Sequence, residues 1–343
     1  MIDNTPLGHA SLTKRALWLG VAFTSLLLVS PVALTSKAHA QEKLSLIGFS
    51  GATNLPVWVA KDAGFFQREG LDVETTVTSG SVEQVRDMMS GRYQIMTSAF
   101  DNIVAYANGE GDVKLGQNFD FVAIMGVHSG MNSLVATKDI AKIEDIKGKI
   151  VAVDAVRSGY AVIMYKILEK HGLKFDVDYK VLAVGSTSER MKAMEEGKAV
   201  AAMIATPTDL EAVKKGYRIL ADGATEIGAY QGSAFVVRRS WAKDNEKVLA
   251  QFVRAISASM DSIFADRATT MKVLKARLPK QTDEELNAIY DRVTGPGGLN
   301  KGAVIREEAV RVVLDLRIAA GTPTSLDMSK YIDPSIQQRA LKK

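Results

Sequence analysis

The chain has 343 residues, enough for two domains of ordinary size, and it contains no cysteine, which excludes disulfides and a lipid-anchored cysteine. Its 43 basic and 39 acidic residues give a net charge of +4. No basic stripe alternates with aromatic side chains, so we expect no binding to nucleic acid. With four histidines and no cysteine, a transition-metal site would depend almost entirely on carboxylates, so we predict neither a metal nor a cofactor.

Residues 1–40 have the pattern of a Sec-type export signal. Lys14 and Arg15 precede a mostly apolar run, and the segment ends in SKAHA, with small residues at Ala38 and Ala40. A retained membrane anchor is the alternative, but a proline inside the run and the cleavage motif disfavour it. We therefore expect cleavage after Ala40 and a location in the periplasm.

From Lys43 onward, β-patterned runs alternate with helical ones. The strand LSLIGF leads through the loop Ser50–Asn54 into the helix NLPVWVAKDAGFFQREG. The strand LDVETTVT, the helix SVEQVRDMMSG, the strand YQIMTSA, the helix FDNIVAYANG and the strand DFVAIMGV follow. Ser81 with Gln84 predicts a capping box. The alternation indicates a sheet covered by helices on both faces.

A second set of the same units begins near Leu134. Its strands are KIVAVDA, YKVLAV, AVAAMIA and YRILADG, and its helices are SGYAVIMYKILEKHG, STSERMKAMEEG and TPTDLEAVKKG. Ser186 with Glu189 predicts another capping box. Thr206 is a candidate N-cap, with Pro207 at the first helical position.

The rest of the chain is one more strand, AFVVRR, followed by helices. The predicted helices are about Asn245–Asp266, Ala268–Leu278, Thr282–Thr294 and Val304–Ala320. The similar junctions GVHSGMNS and GAYQGSAF flank the second block, which we interpret as inserted into the first, rather than as one of three domains in a row. We predict one lobe from 41–130 with 234–343 and another from 131–233, joined by a two-strand hinge.

The segment LPVWVAKDAGFFQREGLDVET, Leu55 to Thr75, resembles the solute-binding proteins of ABC importers, in the branch serving nitrate, sulfonates, taurine and thiamine-pyrimidine precursors. It shares their proline-led apolar helix, Gly-Phe-Phe and Glu-Gly-Leu-x-Val. IEDIKGKIVAV and EEGKAVAAMIATP are also similar. The resemblance extends from Lys43 to about Leu314. It implies a type II two-lobed α/β fold with two doubly wound mixed sheets and a helical C-terminal tail on lobe one. It also implies no catalysis, and as partners a small-molecule solute and an inner-membrane permease with its ATPase; we expect a monomer.

Several strand-to-helix turns carry small polar residues, and in such sheets ligands lie at the carboxyl ends of strands, near helix N-termini. The candidate ligand-binding residues are Ser50, Gly51, Ala52, Thr53, Asn54, Ser81, Ser98, Phe100, Asp101, His128, Arg157, Ser158, Tyr160, Thr187, Thr206 and Gln231. Each Ser or Thr is alternatively a simple N-cap. His128 and Gln231 lie at the junctions, where they reach either the ligand or a hinge strand.

Charged and aromatic candidates bear on the kind of ligand. Arg157 precedes a helix and is suited to a bidentate carboxylate or sulfonate, unless it is a solvated surface residue. Asp101 either favours the helix dipole or accepts from a ligand N–H, and the two together would suit a zwitterion. Phe100, Tyr160 and Tyr230 are candidates for stacking on a ring, or for core and rim packing.

The sequence predicts a binding protein for a small polar organic solute, such as a sulfonate, a taurine-like compound, an aromatic carboxylate or a nitrate-type anion. The alternative ligand is a neutral or cationic heterocycle such as a thiamine-pyrimidine precursor. A periplasmic sensor and an enzyme like the fungal thiamine-pyrimidine synthases are further alternatives. The resemblance to those synthases implies a cysteine-rich segment that this chain lacks. Because it also shows no P-loop or Gly-x-Ser-x-Gly motif, we predict no catalytic residue.

Overall fold

The structure is a computed structural model that describes residues 41–112 and 119–342; the predicted export signal lies outside them. Among those residues the strands are β1 (Glu42–Gly48), β2 (Leu71–Val77), β3 (Ile95–Ala99), β4 (Phe121–His128), β5 (Asn132–Ala136), β6 (Ile150–Val153), β7 (Lys180–Ala183), β8 (Ala201–Ala205), β9 (Arg218–Asp222) and β10 (Ser233–Arg238). The α-helices are α1 (Leu55–Asp62), α2 (Phe65–Arg68), α3 (Ser81–Met89), α4 (Phe100–Ala107), α5 (Gly159–Lys170), α6 (Thr187–Glu195), α7 (Thr208–Lys214), α8 (Gly223–Ile227), α9 (Arg239–Asp244), α10 (Glu246–Ala265), α11 (Arg267–Arg277), α12 (Asp283–Thr294), α13 (Glu307–Ala319) and α14 (Pro334–Leu341).

The first sheet has the strand order β2-β1-β3-β10-β4. β1 runs parallel to β2 and β3, whereas β10 lies antiparallel between β3 and β4. Strand β10 follows the second block in the chain but completes the first sheet. This topology supports the proposed insertion of one lobe into the other, and we call the two parts lobe one and lobe two below.

The second sheet has the order β7-β6-β8-β5-β9 and uses only strands between Asn132 and Asp222. β6 is parallel to β7 and β8, and β5 is antiparallel to β8 and β9. Each sheet is therefore mixed, which confirms the predicted fold class. The parallel strands are each followed by a helix, so their carboxyl ends lie beside helix N-termini.

The conspicuous Gly-Phe-Phe segment anchors lobe one. Gly64 adopts a left-handed conformation (φ 77°) that turns the chain out of α1, and glycine tolerates this conformation without strain. Phe66 is thereby buried and stacks on Phe252 of α10, with ring centroids 5.8 Å apart. α10 is 20 residues long and apolar enough for a membrane span by length and composition, but half of its apolar window is buried in the lobe-one core. This burial is typical of a core helix.

The C-terminal tail packs on lobe one, as predicted. Helices α10 to α13 lie within a few residues of their predicted bounds, whereas α14 was not predicted. The segment before α14 joins the first sheet through a bond from Ala123 N to Tyr331 O of 2.8 Å. Asp333 then caps α14 by accepting from Ser335 N at 3.1 Å, with Pro334 at the first position. This cap is a helix-start signal visible in the sequence.

Two predicted helix caps are wrong. α3 is preceded by Gly80, and its first residue, Ser81, makes no capping bond; Gln84 Nε2 instead donates to Thr97 O at 2.9 Å. α7 begins at Thr208, one residue later than predicted, and the hydroxyl of Thr206 donates to a buried carboxylate inside lobe two. At α3 a tertiary hydrogen bond replaces the local one, whereas at α7 the Thr206 hydroxyl bonds to the carboxylate of Asp209, three residues further on, instead of accepting from a backbone N–H. Ser186 does cap α6.

Candidate ligand-binding cleft

The cleft lies where the carboxyl ends of the strands in the two sheets face each other. The turn after β1 comes from lobe one and the turn after β8 from lobe two, and they meet directly: Ala52 N donates to Thr206 O at 2.9 Å. At the carboxyl end of β1, the absence of a side chain at Gly48 leaves room for the Thr97 hydroxyl and the Asn54 amide. Small polar groups are therefore concentrated where the lobes touch.

Glycines make three of the closest contacts between the lobes. A Cβ atom on Gly51 would lie 2.9 Å from Thr206 O, and one on Gly185 would lie 2.8 Å from Ser79 O. A Cβ atom on Gly159 would lie 2.7 Å from the Cβ of Asp101. Carbon and oxygen atoms in van der Waals contact keep larger separations than these. The lobes approach this closely because these positions carry no side chain.

The N-terminus of α5 is held by lobe one. Gly159 N donates to Asn102 Oδ1 at 2.9 Å, and Asn102 Nδ2 donates to Ser98 Oγ at 3.4 Å. Ser98 and Asn102 are buried, so this chain of bonds is shielded from water. A backbone N–H in the first turn of α5, which has no partner within the helix, is thus paired across the lobe boundary.

A histidine from the hinge contacts the first turn of α5. His128 ends β4 and is fully buried, and its Nε2 lies 3.3 Å from the Tyr160 hydroxyl on α5. Burial, reinforced by the charge of Arg292, lowers the pKa of His128 to about 3, so the ring is neutral. Burial raises the pKa of Tyr160 to about 12, so its hydroxyl stays protonated. Both groups therefore act as neutral hydrogen-bonding groups.

Several buried polar atoms near Tyr160 lack a hydrogen-bond partner among the described residues. They are both amide atoms of Asn132, the hydroxyl oxygen of Tyr230 and Asp101 Oδ2. The Asn132 amide is nonetheless close enough to lower the Tyr160 pKa, and burial and the Asp101 charge raise the pKa of Tyr230. Each buried polar atom without a partner costs about 1–3 kcal/mol. A polar solute that bonded to these atoms would recover that cost.

The negative charge of Asp101 is balanced by a buried arginine in the core of lobe one. Arg317 of α13 donates to its Oδ1 at 2.6 Å and to Glu110 Oε2 at 2.8 Å, and both Asp101 and Arg317 are buried. Burial raises the pKa of Asp101 to about 6 in spite of the opposing field of Arg317. Asp101 is thus part of a buried ion triad, and only its Oδ2 is left for another partner.

Arg190 is a buried cation of lobe two that sequence reasoning missed. Its guanidinium donates to Gly185 O at 2.7 Å, Thr187 Oγ1 at 3.0 Å and Met203 O at 3.0 Å. No carboxylate of the described chain lies within ion-pair distance of it. Burial lowers its pKa, and the more distant Asp154 opposes that shift. A fixed positive charge therefore lies beneath the turn before α6.

The structure brings some of the sequence candidates together and keeps others apart. Those at or beside the lobe contacts are Gly51, Ala52, Asn54, Ser98, Asp101, His128, Tyr160, Thr187 and Thr206. Ser50 is exposed, Thr53 is half-buried and Ser81 is buried. Their contact with a ligand stays a prediction.

Four candidates have evident structural partners. Arg157 is exposed, and its Nη1 donates to Glu110 O at 3.4 Å. Ser158 caps α5 by accepting from Ala161 N at 3.3 Å. Gln231 Nε2 donates to Ser233 O at 2.8 Å within the hinge, and Phe100 lies in the core. For these four the structural alternatives that the sequence left open account for the observed contacts.

Polar pairs from α12 and from Gln281 just before it also join the lobes at the rim. Across the boundary, the Gln281 amide donates to the Glu211 carboxylate, and the Lys214 ammonium pairs with the Glu285 carboxylate. Arg292 meets Asp222, whose side chain also caps α8. No group of three His, Asp or Glu side chains in residues 41–112 and 119–342 is arranged to hold a metal ion.

Comparison with known proteins places the chain in a family. The family model described as NMT1/THI5 like matches residues 52–269. The chain belongs to this family. A curated relative, "Putative binding protein YtlA" of Bacillus subtilis (strain 168), is 24% identical over 205 residues, which are 59% of this chain and 60% of that protein. The match therefore spans somewhat less than two thirds of the relative.

Solved structures share the two-lobed fold. The alkanesulfonate-binding protein SsuA from Xanthomonas axonopodis pv. citri, bound to MOPS, is 17% identical and superposes with a TM-score of 0.68 over 86% of this chain and 99% of its own length. The periplasmic nitrate-binding protein NrtA from Synechocystis PCC 6803 is 14% identical, with a TM-score of 0.73 over 88% of each chain. At this identity the likeness establishes the periplasmic binding protein fold of this NMT1/THI5-like chain.

Proposed function

We propose that this chain is the solute-binding component of an ABC import system, and that it holds a small polar organic solute between its lobes. The observation that carries the proposal is the set of buried polar atoms without protein partners at the lobe boundary, on Asn132, Tyr230 and Asp101. A binding-protein fold with a polar, shielded interlobe surface is suited to capture a solute by closing on it.

An anion is the first proposed ligand class. Arg190 places a buried positive charge beneath the turn before α6, without an ion-pair partner in the described chain. The turns before α3, α4, α5 and α6 add helix N-termini, which favour negative charge. SsuA bound to MOPS and the nitrate-binding NrtA are precedents in the same fold. Sulfonates, taurine-like compounds, aromatic carboxylates and nitrate-type anions fit this class.

A neutral heterocycle is the second proposed ligand class, and a specific observation favours it. Three polar side chains near the centre of the cleft, beside the charged Asp101, are uncharged: Asn132, Tyr160 and Tyr230. The guanidinium of Arg157 points to Glu110 O at the rim, and Arg190 already donates to three protein oxygens. Such a set binds a ring with donors and acceptors at its edge as readily as an anion.

The remaining parts of the proposal follow from the same function. We propose export to the periplasm with loss of residues 1–40, a monomer, and delivery of the solute to a membrane permease with its ATPase. The sensor alternative differs only in the membrane partner. Co-purification from detergent extracts, with the permease and ATPase or with a receptor, distinguishes them. We propose no catalysis, in line with the binding-protein neighbours.

The test is a thermal-shift and calorimetry screen of the processed protein, unfolded in urea and refolded to remove copurified solute. The panel contains nitrate, taurine, methanesulfonate, benzoate and 4-aminopyrimidine. A solute that binds the folded state adds about 2.7 kcal/mol at a hundredfold excess over its Kd, so the melting temperature rises with concentration. Benzoate or methanesulfonate binding supports the anion class, and 4-aminopyrimidine binding supports the neutral class. Turnover of a panel solute without any stabilisation would refute a binding-only function.

A further inference from the structure

The proton positions on His128 are determined by its surroundings. The backbone N–H groups of Gly130 and Met131 point at its Nδ1 from 3.1 and 3.2 Å. A backbone N–H can only donate, so Nδ1 must accept and carries no proton. In a neutral ring the single proton is then on Nε2. The bend of the hinge after β4 therefore selects one tautomer of the ring.

This tautomer orients the Tyr160 hydroxyl. The Nε2–H of His128 faces the hydroxyl oxygen at 3.3 Å and donates to it. The single hydroxyl proton must then point away from His128, because that side of the oxygen is occupied by a donor. The amide of Asn132 is close enough to lower the pKa of Tyr160, and neither of its polar atoms has a hydrogen bond of regular geometry in the described chain. Tyr160 therefore presents a proton, rather than a lone pair, toward the unpartnered atoms of the cleft.

We propose that Tyr160 is a specificity-determining donor that binds a proton-free acceptor atom of the solute, and that His128 is the residue that positions it. The ligand class this selects carries an accepting oxygen or ring nitrogen at the buried end, as in a carbonyl, carboxylate, sulfonate or pyridine-type nitrogen. A solute with only an ammonium group at that end offers no lone pair and would meet the Tyr160 proton head-on. The proposal rests on the proposed function, since it concerns the solute held there.

The hydrogen bond between His128 and Tyr160 also links solute binding to closure of the two lobes. His128 lies at the end of β4 in the first sheet, whereas Tyr160 is on α5 of lobe two, so their bond forms only when α5 lies against the hinge. The neighbouring Gly159 is simultaneously bonded to Asn102 of lobe one. The donor is therefore correctly oriented in the closed arrangement of the lobes, and a solute that accepts from it is bound most tightly there.

The first experiment reads the tautomer without any solute. Nitrogen-15 NMR of the histidine rings distinguishes a protonated from an accepting nitrogen, and the processed protein contains only His128 and His171, so a His171→Asn variant assigns the signals. We expect Nε2–H with an accepting Nδ1 at pH 7, unchanged at pH 5. A proton on Nδ1, or a ring that becomes charged between pH 7 and pH 5, would overturn the proposal whatever the ligand is.

The second experiment measures Kd by calorimetry for the panel solute that binds the wild type most tightly; all five panel members carry an acceptor. We expect Tyr160→Phe to raise Kd about three- to thirtyfold, the loss of one buried hydrogen bond. Tyr165→Phe is the matched control, because that hydroxyl is on the same helix but donates to Val156 O at 3.0 Å outside the cleft. Its Kd should stay within about twofold of wild type.

Two substitutions at His128 separate positioning from packing. His128→Asn keeps an acceptor near the Nδ1 position for the Gly130 and Met131 N–H groups but offers Tyr160 no donor, whereas His128→Gln places an amide N–H near the Nε2 position. We expect Asn to weaken binding and Gln to restore part of the loss, with both variants folded by circular dichroism. Binding by wild type with unchanged Kd in Tyr160→Phe would overturn the role of Tyr160 alone. Absence of binding to any solute in the wild type would overturn the proposed function and this role with it.

Discussion

Gly159→Ala tests whether close approach of the lobes is needed for binding. The added methyl group would lie 2.7 Å from the Cβ of Asp101 and 3.1 Å from the Cβ of Ala99, both in lobe one. Carbon atoms in contact keep about 3.5–4.0 Å, so the lobes would have to separate by about 1 Å at this point. The same movement would stretch the bond from Gly159 N to Asn102 Oδ1, now 2.9 Å.

The energetic cost falls only on the closed arrangement. Overpacking by one methyl group typically costs about 1–3 kcal/mol. Because the solute binds the closed form, the cost appears in the apparent affinity, and Kd should rise about 5- to 150-fold. Gly159 is the first residue of α5, where alanine has the higher helix propensity, so the unliganded protein should be as stable as wild type or slightly more stable. Weaker binding with undiminished stability is therefore the expected combination.

Calorimetry with the panel solute that binds the wild type most tightly measures the higher Kd. Small-angle X-ray scattering measures the larger radius of gyration. Gly80→Ala is the matched control, since Gly80 also faces lobe two, has an extended backbone and would place its Cβ an ordinary 3.6 Å from the Cα of Gly185. Its Kd should stay within about twofold of wild type. A folded Gly159→Ala protein that binds as tightly as Gly80→Ala would refute the reasoning.

Three further predictions concern ionisable groups. Arg317→Met leaves Asp101 buried without its partner, so urea denaturation should show a loss of about 3–5 kcal/mol, most of it recovered on adding Asp101→Asn; a loss under about 1 kcal/mol would contradict this. The pKa of His128 is lowered to about 3, so its contribution to stability is present above its unfolded pKa near 6.5 and is lost as pH falls toward 3. Between pH 6.5 and pH 5 the wild type should lose about 2 kcal/mol more than His128→Asn in urea denaturation, and parallel pH profiles would contradict it. Asp222→Asn keeps a cap on α8 but removes the ion pair with Arg292. Its Kd should be about two- to fivefold above wild type at low salt and indistinguishable from wild type in 0.5 M NaCl. The same ratio of variant to wild-type Kd at both salt concentrations would argue against this role of the ion pair.

The fold was largely predictable because its signals are local. Alternating strand and helix periodicities predicted two helix-covered sheets, and the four long helices of the tail follow the 3.6-residue pattern. The mixed character of the sheets was implied only by the family resemblance. The errors arose where a local signal competed with a distant one. Gln84 had the spacing of a capping box with Ser81, but its amide bonds to the end of β3 instead. Helix α14 was missed although Asp333 and Pro334 mark its start.

The cleft was predictable only in outline. The sequence placed polar residues in the right turns, but their roles depend on partners far along the chain. Asp101 was interpreted as favouring the helix dipole or accepting from a ligand N–H, and its main partner, Arg317, lies 216 residues away. Arg190 sits in a helix with the polar composition of a surface element, and nothing in its neighbourhood signals that it is buried. Asn132 is part of the GVHSGMNS junction, where a polar amide at a strand start was an available signal.

The arrangement of charge in the cleft reconciles the two proposed ligand classes. Arg190 gives its donors to protein oxygens, so it would act on a solute through its field rather than by direct contact. Direct contacts would come from uncharged groups, Tyr160 and Asn132, in a buried setting where a field is weakly screened. An anion and a neutral ring with an accepting nitrogen would then use the same hydrogen bonds and differ in how strongly they respond to Arg190. Replacing Arg190 by methionine should therefore weaken benzoate binding more than 4-aminopyrimidine binding, and equal losses for both would show that the residue acts only by supporting the turn before α6.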